Sequence, residues 1–419
     1  MFNFLTGIYD IVATIIFILF YPFVFLLRLH TGKDSGTRLI KLGLFEPPNL
    51  GKKVIMFHAV SVGEVLSLEK LLKQTKNNFS DYKLVLTTGT KTGQELAHKK
   101  YGQLIDFITY LPFDIPFAVN NFLNKINPSV VLIAETELWP NFAIHCKKRN
   151  IPIVIINGRI SDDSYKSYRF LTPFFKIILN LYTKIYTQSE LDRERFIKVG
   201  NNPANTIVMK NLKFDIDKPV ADIDLNKNGN RVLIAGSTHS GENDIVIKTF
   251  DKLKQQHSDL KLIIAPRHME RIPEIEKILS GYEYKVGYRS KNEDFKGNEI
   301  IILDTLGELK KCYAISDIAF IGGSFNKTGG HNPLEATIFG VPTITGPSIK
   351  NFRDIYAILT RANASVIVKN EDEFYNILND LFSDSALLKT YSNACENIFE
   401  NQKGSLDFVI SVIKDMLNQ

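Results

Sequence analysis

VVLIAETELWPN, residues 130–141, sets an unbroken apolar run against a polar, acidic end. Val130 to Ala134 show no alternation of apolar and polar side chains. Such a segment is buried on both faces, as a parallel strand is when helices cover the sheet on either side. The pattern recurs in the first half as KVIMFHAV (53–60), KLVLTT (83–88) and IPIVIIN (151–157). In the second half it returns as RVLIAGS (231–237), LKLIIAP (260–266), IIILD (300–304), IAFIGG (318–323) and VPTITG (341–346). Longer amphipathic stretches separate these runs, and the first-half strands close in loops rich in Gly, Ser, Thr, Asn or Glu. The fold class is therefore α/β, with two Rossmann-like domains facing a central cleft and ligands held at the carboxyl ends of the strands. Residues 31–214 form the first domain and 231–419 the second, whose last helix is able to pack back on the first. The linker is 215–230, which is polar and holds Pro219 and Gly229.

A chain of 419 residues exceeds what one hydrophobic core usually organises, which agrees with two domains. Lys and Arg number 51 against 45 Asp and Glu, a net charge of +6 that suits an anionic ligand or a membrane surface without calling for nucleic acid. The 3 cysteines lie far apart with no CxxC pair, and the 8 histidines show no HExxH spacing, so neither a disulfide framework nor a metal is expected. No GxGxxG opens a βαβ unit and no GxxxxGK[ST] occurs, which removes the main support for a dinucleotide dehydrogenase or a P-loop enzyme.

Residues 1–30 read as a hydrophobic membrane anchor. From Ile8 to Leu27 the only strongly polar residue is Asp10, and the flank that follows carries Arg28, His30, Lys33, Arg38 and Lys41. The positive-inside rule puts everything downstream in the cytoplasm. A spanning helix and an interfacial helix, the latter favoured by Pro22 and the aromatics at 17–25, both fit. A signal peptide fits less well, because the start is not basic and Phe25, Leu26, Leu27 and Arg28 offer no small-residue cleavage site.

Polar motifs collect just after the strands. In HAVSVGE (58–64), Ser61 and Glu64 have the spacing of a capping box, in which the carboxylate only satisfies main-chain N–H groups. At a strand-to-helix turn beside Gly63, the same carboxylate can also serve as general base. In AETELWPN, Glu135 and Glu137 flank the strand end beside Trp139, either as a site or as acids favouring a helix dipole. Arg159 in NGRIS (157–161) can clamp a carboxylate or phosphate or form an ordinary salt bridge. Lys213 in NLKFD (211–215) can reach an anion in the cleft or lie along the surface.

The second half holds IGGSFNKTGGHNPLEA (321–336). Gly322, Gly323, Gly329 and Gly330 permit close backbone approach, and Asn332 with Pro333 reads as an N-cap followed by the first helical residue, so that a helix starts toward an anion. Main-chain N–H groups there, with Leu334, would hold phosphate, and Glu335 would accept from ribose hydroxyls. GSTHSGE (236–242) with Ser237, APRH (265–268) with Pro266, Arg267 and His268, and LGEL (306–309) with Leu306, Gly307 and Glu308 lie at neighbouring strand ends and complete a mononucleotide site.

In this order and spacing, HAVSVGE, AETELWPN, NGRIS, NLKFD, AGSTHSGE, PRH, LGEL and GGHNPLE resemble the 3-deoxy-D-manno-octulosonic acid (Kdo) transferases of lipopolysaccharide synthesis. The resemblance implies a GT-B fold with an acceptor-binding first domain and a donor-binding second domain. It also implies CMP-Kdo as donor, a lipid A precursor (lipid IVA) as acceptor, no cofactor beyond the donor, and work at the cytoplasmic face of the inner membrane. Carried over, Glu64 is the general base, Glu137 a second essential acid, and Pro266, Arg267, Leu306 to Glu308 and Asn332 to Glu335 the CMP contacts. The chemistry implied is inverting transfer without a metal. Val60, Gly158 and Ser240 depart from the family's usual residues without touching these roles. The rivals are another nucleotide-sugar glycosyltransferase or epimerase of the same fold, and a membrane-tethered nucleotide-binding regulator.

Overall fold

A computed structural model describes residues 37–51 and 53–418, together with Tyr9 and Ile15. Most of the expected anchor, 1–30, thus lies outside the described residues, and among those described no helix is long and apolar enough to cross a membrane. The chain divides into two units, Met1–Ile216 with Gln402–Gln419, and Asp217–Asn401. Residues 217–230, expected as linker, group with the second unit.

The first unit is built on a seven-stranded sheet of β1 (Val54–Ala59), β2 (Lys83–Thr88), β3 (Phe107–Tyr110), β4 (Val130–Ala134), β5 (Ile153–Gly158), β6 (Lys184–Thr187) and β7 (Thr206–Val208). The order is β3-β2-β1-β4-β5-β6-β7, and every pairing is parallel. Side chains alternate between two buried layers: Val54 and Met56 face one, Ile55, Phe57 and Ala59 the other. That burial on both faces is why β1 and β4 read as continuous apolar runs. The second layer is closed by the carboxyl-terminal helix Ser405–Leu417, whose Val409, Val412, Ile413 and Met416 recur at the spacing of one helical face. Asp215 ties this helix down, accepting from Leu406 N at 2.7 Å and Gly404 N at 3.2 Å and from the Ser405 hydroxyl.

The second unit repeats the plan with β8 (Arg231–Thr238), β9 (Leu260–Pro266), β10 (Val286–Tyr288), β11 (Ile300–Ile302), β12 (Ile318–Ile321), β13 (Thr343–Thr345) and β14 (Ser365–Ile367). Its order is β10-β11-β9-β8-β12-β13-β14, again all parallel. In both sheets the chain fills one side of the first strand and then resumes on that strand's other side, although in the second sheet β10 takes the edge before β11 fills the place between it and β9. The reversal falls between β1 and β4 in one unit and between β8 and β12 in the other. Crevices for ligands open at the carboxyl ends of such strand pairs. His58 is in register with Ile133, and Gly236 with Ile321, so the loops that follow each strand pair lie side by side.

Candidate functional site

Glu64 follows β1 and Glu135 and Glu137 follow β4, so the reversal point of the first sheet gathers three carboxylates. Glu64 sits in the first turn of the helix Val62–Ser67, 8% exposed, and completes a capping box with Ser61. Its oxygens accept from Val60 N at 2.8 Å, Ser61 N at 3.3 Å and Ser61 Oγ at 2.7 Å. Burial raises its proton affinity and the charge of Glu135 adds to this, against the hydrogen bonds from Ser61 and Val60.

Glu135 adopts a left-handed φ of 57°, a conformation costly for a residue with a side chain. Burial would push its proton affinity up, but Lys213 and Arg159 hold it below the ordinary carboxylate value. Arg159 Nε lies 2.8 Å from Oε2 and Lys213 Nζ 3.0 Å from Oε1. Arg159 and Lys213, expected as contacts to a bound anion, thus meet an anion of the protein itself. Thr136 binds the two loops further, accepting from Arg159 N at 3.0 Å and donating to Arg159 O. Lys213 is set on a short helix, Leu212–Phe214, by a side-chain chain in which Asn211 donates to Gln188 at 2.9 Å and Asn157 accepts from Leu212 N at 3.1 Å.

Glu137 is half-buried, and burial together with the charges of Glu64 and Glu135 pushes its carboxyl up to about 7. The Tyr182 hydroxyl donates to its carbonyl at 3.2 Å. The next helix, Pro140–Lys148, has no acid in its first turn, which discards the helix-dipole reading of Glu135 and Glu137. The helix is instead capped from outside by Asp114, which accepts from Asn141 N and Phe142 N at 3.0 and 2.8 Å. A surface depression lined by Tyr82, Ser129, Asn150, Pro152 and Thr183 belongs to the opposite, amino-terminal ends of these strands.

In the second unit the reversal point joins GSTHSGE to the glycine-rich loop. Ser237, with φ 55°, is the extra residue where the β8–β9 register shifts. A Cβ on Gly322 would come within 2.5 Å of Ser237 O, and one on Gly323 within 3.0 Å of the His331 ring, so these glycines are required by close approach. Glu242, 1% exposed, accepts from His239 N at 2.8 Å, Gly323 N at 2.7 Å, Ser324 N at 2.8 Å and Phe325 N at 2.9 Å. The amides of Gly323, Ser324 and Phe325 are therefore taken by the protein itself. One expectation about this loop changes. The helix after Asn332 is only Leu334–Thr337, with Pro333 at its cap and Asn332 Oδ1 accepting from Leu334 N at 3.1 Å. So short a helix carries little dipole.

Pro266 ends β9, and exposed Arg267 donates its main-chain N–H to Thr238 O at 3.0 Å while its guanidinium joins no ion pair among the described residues. His268 stands edge-on to His239. Leu306 is 86% exposed and Gly307 has φ 88°. Glu308 is held by Arg289 at 3.1 Å and by the Thr305 hydroxyl, and Glu335 by Lys310 at 3.0 Å. No group of three or more His, Cys, Asp or Glu among the described residues is spaced to hold a metal. Glu242 and the paired His239 and His331 were not singled out from the sequence. The i, i+3 spacing of His239 and Glu242, that of a capping box, was the available signal for Glu242.

Residues 37–216 match the family model "3-Deoxy-D-manno-octulosonic-acid transferase (kdotransferase)", and residues 218–400 match "Glycosyl transferases group 1". The 3-deoxy-D-manno-octulosonic acid transferase of Haemophilus influenzae is 32% identical over 382 residues, covering 89% of this chain and 88% of the relative. The chain belongs to the Kdo transferase family. The Rickettsia prowazekii member is 31% identical, over 87% of this chain and 80% of its own. A solved glycosyltransferase from Rickettsia africae, 14% identical, superposes with a TM-score of 0.53 over 88% of this chain and 99% of its own, a likeness of fold alone. The two Rossmann-like units are those of the GT-B glycosyltransferases. The activity is glycosyl transfer of Kdo in lipopolysaccharide biosynthesis.

Proposed function

We propose that this Kdo transferase uses CMP-Kdo as donor and a lipid A precursor, lipid IVA, as acceptor, by inverting displacement with Glu64 as base and with neither metal nor cofactor. The observation that carries this reading is the meeting of Glu64 and Glu137, both with raised proton affinity, beside Glu135, whose proton affinity Lys213 and Arg159 lower. The acceptor hydroxyl attacks the anomeric carbon and its proton passes to a carboxylate. The bond from that carbon to the phosphate oxygen breaks, and its electron pair leaves with CMP. Three of the roughly four acceptor directions of Glu64 are occupied, which leaves one for an incoming hydroxyl. Charge growing on the departing phosphate needs a cation beside it, and exposed Arg267 supplies one.

A second assignment of the base rests on Glu137. Its carboxyl at about 7 suits proton abstraction near neutrality, whereas Glu64 already caps a helix. Transfer to lipid IVA, followed by mass analysis of the lipid, separates the two. Glu64→Gln is expected to lower turnover by about a hundred- to ten-thousandfold while CMP still binds. Loss in Glu137→Gln with Glu64→Gln active moves the base to Glu137, and near-normal turnover in both removes the carboxylate mechanism.

Action at the cytoplasmic face of the inner membrane is part of the same proposal. Phe170, Phe174 and Ile177 are exposed on the helices Asp162–Phe170 and Thr172–Leu179, as is Leu171 between them, with exposed Lys166, Arg169 and Lys176 nearby in sequence. Apolar side chains ringed by basic ones suit an anionic lipid surface. Flotation with anionic vesicles tests it: Phe170→Ser with Phe174→Ser is expected to weaken binding of the full chain, and unchanged flotation refutes a role for this face.

A further inference from the structure

The rings of His239 and His331 lie 15° from parallel with centroids 5.1 Å apart, and their Nε2 atoms are 2.9 Å from each other. Two imidazole nitrogens at that distance hold a single proton between them, one donating and the other accepting. The pair can gain one further proton on an outer nitrogen and keep this hydrogen bond, but a second would set N–H against N–H. The position is built: His239 follows β8, His331 closes over Gly323, and Glu242 clamps both loops through His239 N and Gly323 N. Both imidazoles are half-buried.

The charged groups that face the pair are mostly basic. His331 is disfavoured as a cation first by burial, then by Arg267, His239 and His268, which bring it to about 4. His239 is lowered by burial and by His268, Arg267 and Arg271, opposed by Glu242. Glu242 spends its four oxygen-to-amide contacts on the main chain, Glu270 lies 3.8 Å from His268 and Glu274 is paired with Arg271, so Arg267 is the cation beside the pair that an outside anion can meet. A phosphate beside Arg267 offsets the cations that disfavour protonation and draws a proton onto the pair.

We propose that His239 and His331 form a proton-coupled anion site, in which the pair takes up one proton as the phosphate of a nucleotide binds. The inference rests on the reading of this unit as the donor site. During transfer the phosphate gains a negative charge when its bond to the sugar breaks, and the proton already on the pair stands opposite that charge. No proton needs to move in that step.

Titration calorimetry of the full chain with CMP, in two buffers of different ionisation enthalpy at pH 7, counts the protons taken up. CMP's own proton is common to wild type and variants and cancels in the difference. Wild type is expected to take up as much as about one proton more per CMP than His331→Asn, and its affinity to fall by up to tenfold for each pH unit above the pair's titration in the complex. His239→Gln is expected to match His331→Asn, which guards against one variant failing to fold. Equal proton uptake in wild type and both variants overturns the proposal while leaving CMP binding intact. Absence of CMP binding by wild type overturns instead the donor-site reading, and the proposal with it.

Discussion

Glu64 and Glu242 occupy equivalent places, each at the start of the helix after its unit's first strand, and the same isosteric change at the two has opposite expected consequences. Glu242→Gln replaces one carboxylate oxygen with an NH2 group. Whichever way the amide turns, two of four main-chain donors at 2.7–2.9 Å then face a donor. A buried hydrogen bond to a charged group contributes about 1.5–3 kcal/mol, so losing two costs about 3–6 kcal/mol, and the remaining two weaken as the charge goes. Taking about 4 kcal/mol, local opening of the glycine-rich loop should become roughly a thousandfold easier. Thermal unfolding of the second unit should fall by about 8–16 °C. Hydrogen exchange at Gly323, Ser324 and Phe325 is the direct assay, with calorimetry for the unfolding temperature. In Glu64→Gln a glutamine still serves a capping box, so the cost should stay near about 1 kcal/mol and the damage should be kinetic. Less than a tenfold change in exchange at residues 323–325, with an unfolding temperature within about 2 °C of wild type, would refute the brace.

Three further outcomes follow from the geometry. Glu135→Gln removes a negative charge that raises Glu137, so the Glu137 carboxyl should titrate below its value of about 7. The acid limb of the pH–rate profile should then move to lower pH, and an unmoved limb would separate Glu137 from the rate. Gly322→Ala forces a methyl to within 2.5 Å of Ser237 O and should cost about 1–3 kcal/mol, read as a lower unfolding temperature together with weaker CMP binding. Deleting residues 403–419 strips Val409, Val412, Ile413 and Met416 from the first unit's core. At about 1.5–3 kcal/mol each, that loss rivals the whole stability of a domain. The truncated chain should lose cooperative unfolding of that unit by circular dichroism, and a wild-type melt would contradict the packing.

What could and could not be read from the sequence turns on how far each feature depends on its neighbours in the chain. Val130 to Ala134 and Ile318 to Ile321 declare themselves as strands because burial on both faces leaves a local record in composition. The neighbour of each strand leaves none: only the pairings β1–β4 and β8–β12 bring Glu64 to Glu137 and Ser237 to Gly322. The expected helix after Pro333 begins there but is short, for a related reason. Asn332 and Pro333 signal a start, but Gly340 with φ 81° and Pro342 end the turn almost at once, leaving four helical residues. The clearest case is the string Gly-Glu that closes both SVGE (61–64) and HSGE (239–242). In each, the carboxylate turns back to the amide three residues earlier. Across from Glu242 the neighbouring loop offers the amides of Gly323, Ser324 and Phe325, which absorb the charge and make it a brace. Across from Glu64 the neighbouring loop offers Glu135, whose charge adds to burial in raising its hold on a proton, and Glu137, whose own carboxyl Glu64 raises in turn. Local sequence therefore writes the same turn-back of a glutamate twice, and the chemistry of each is decided by the strand that lies beside it.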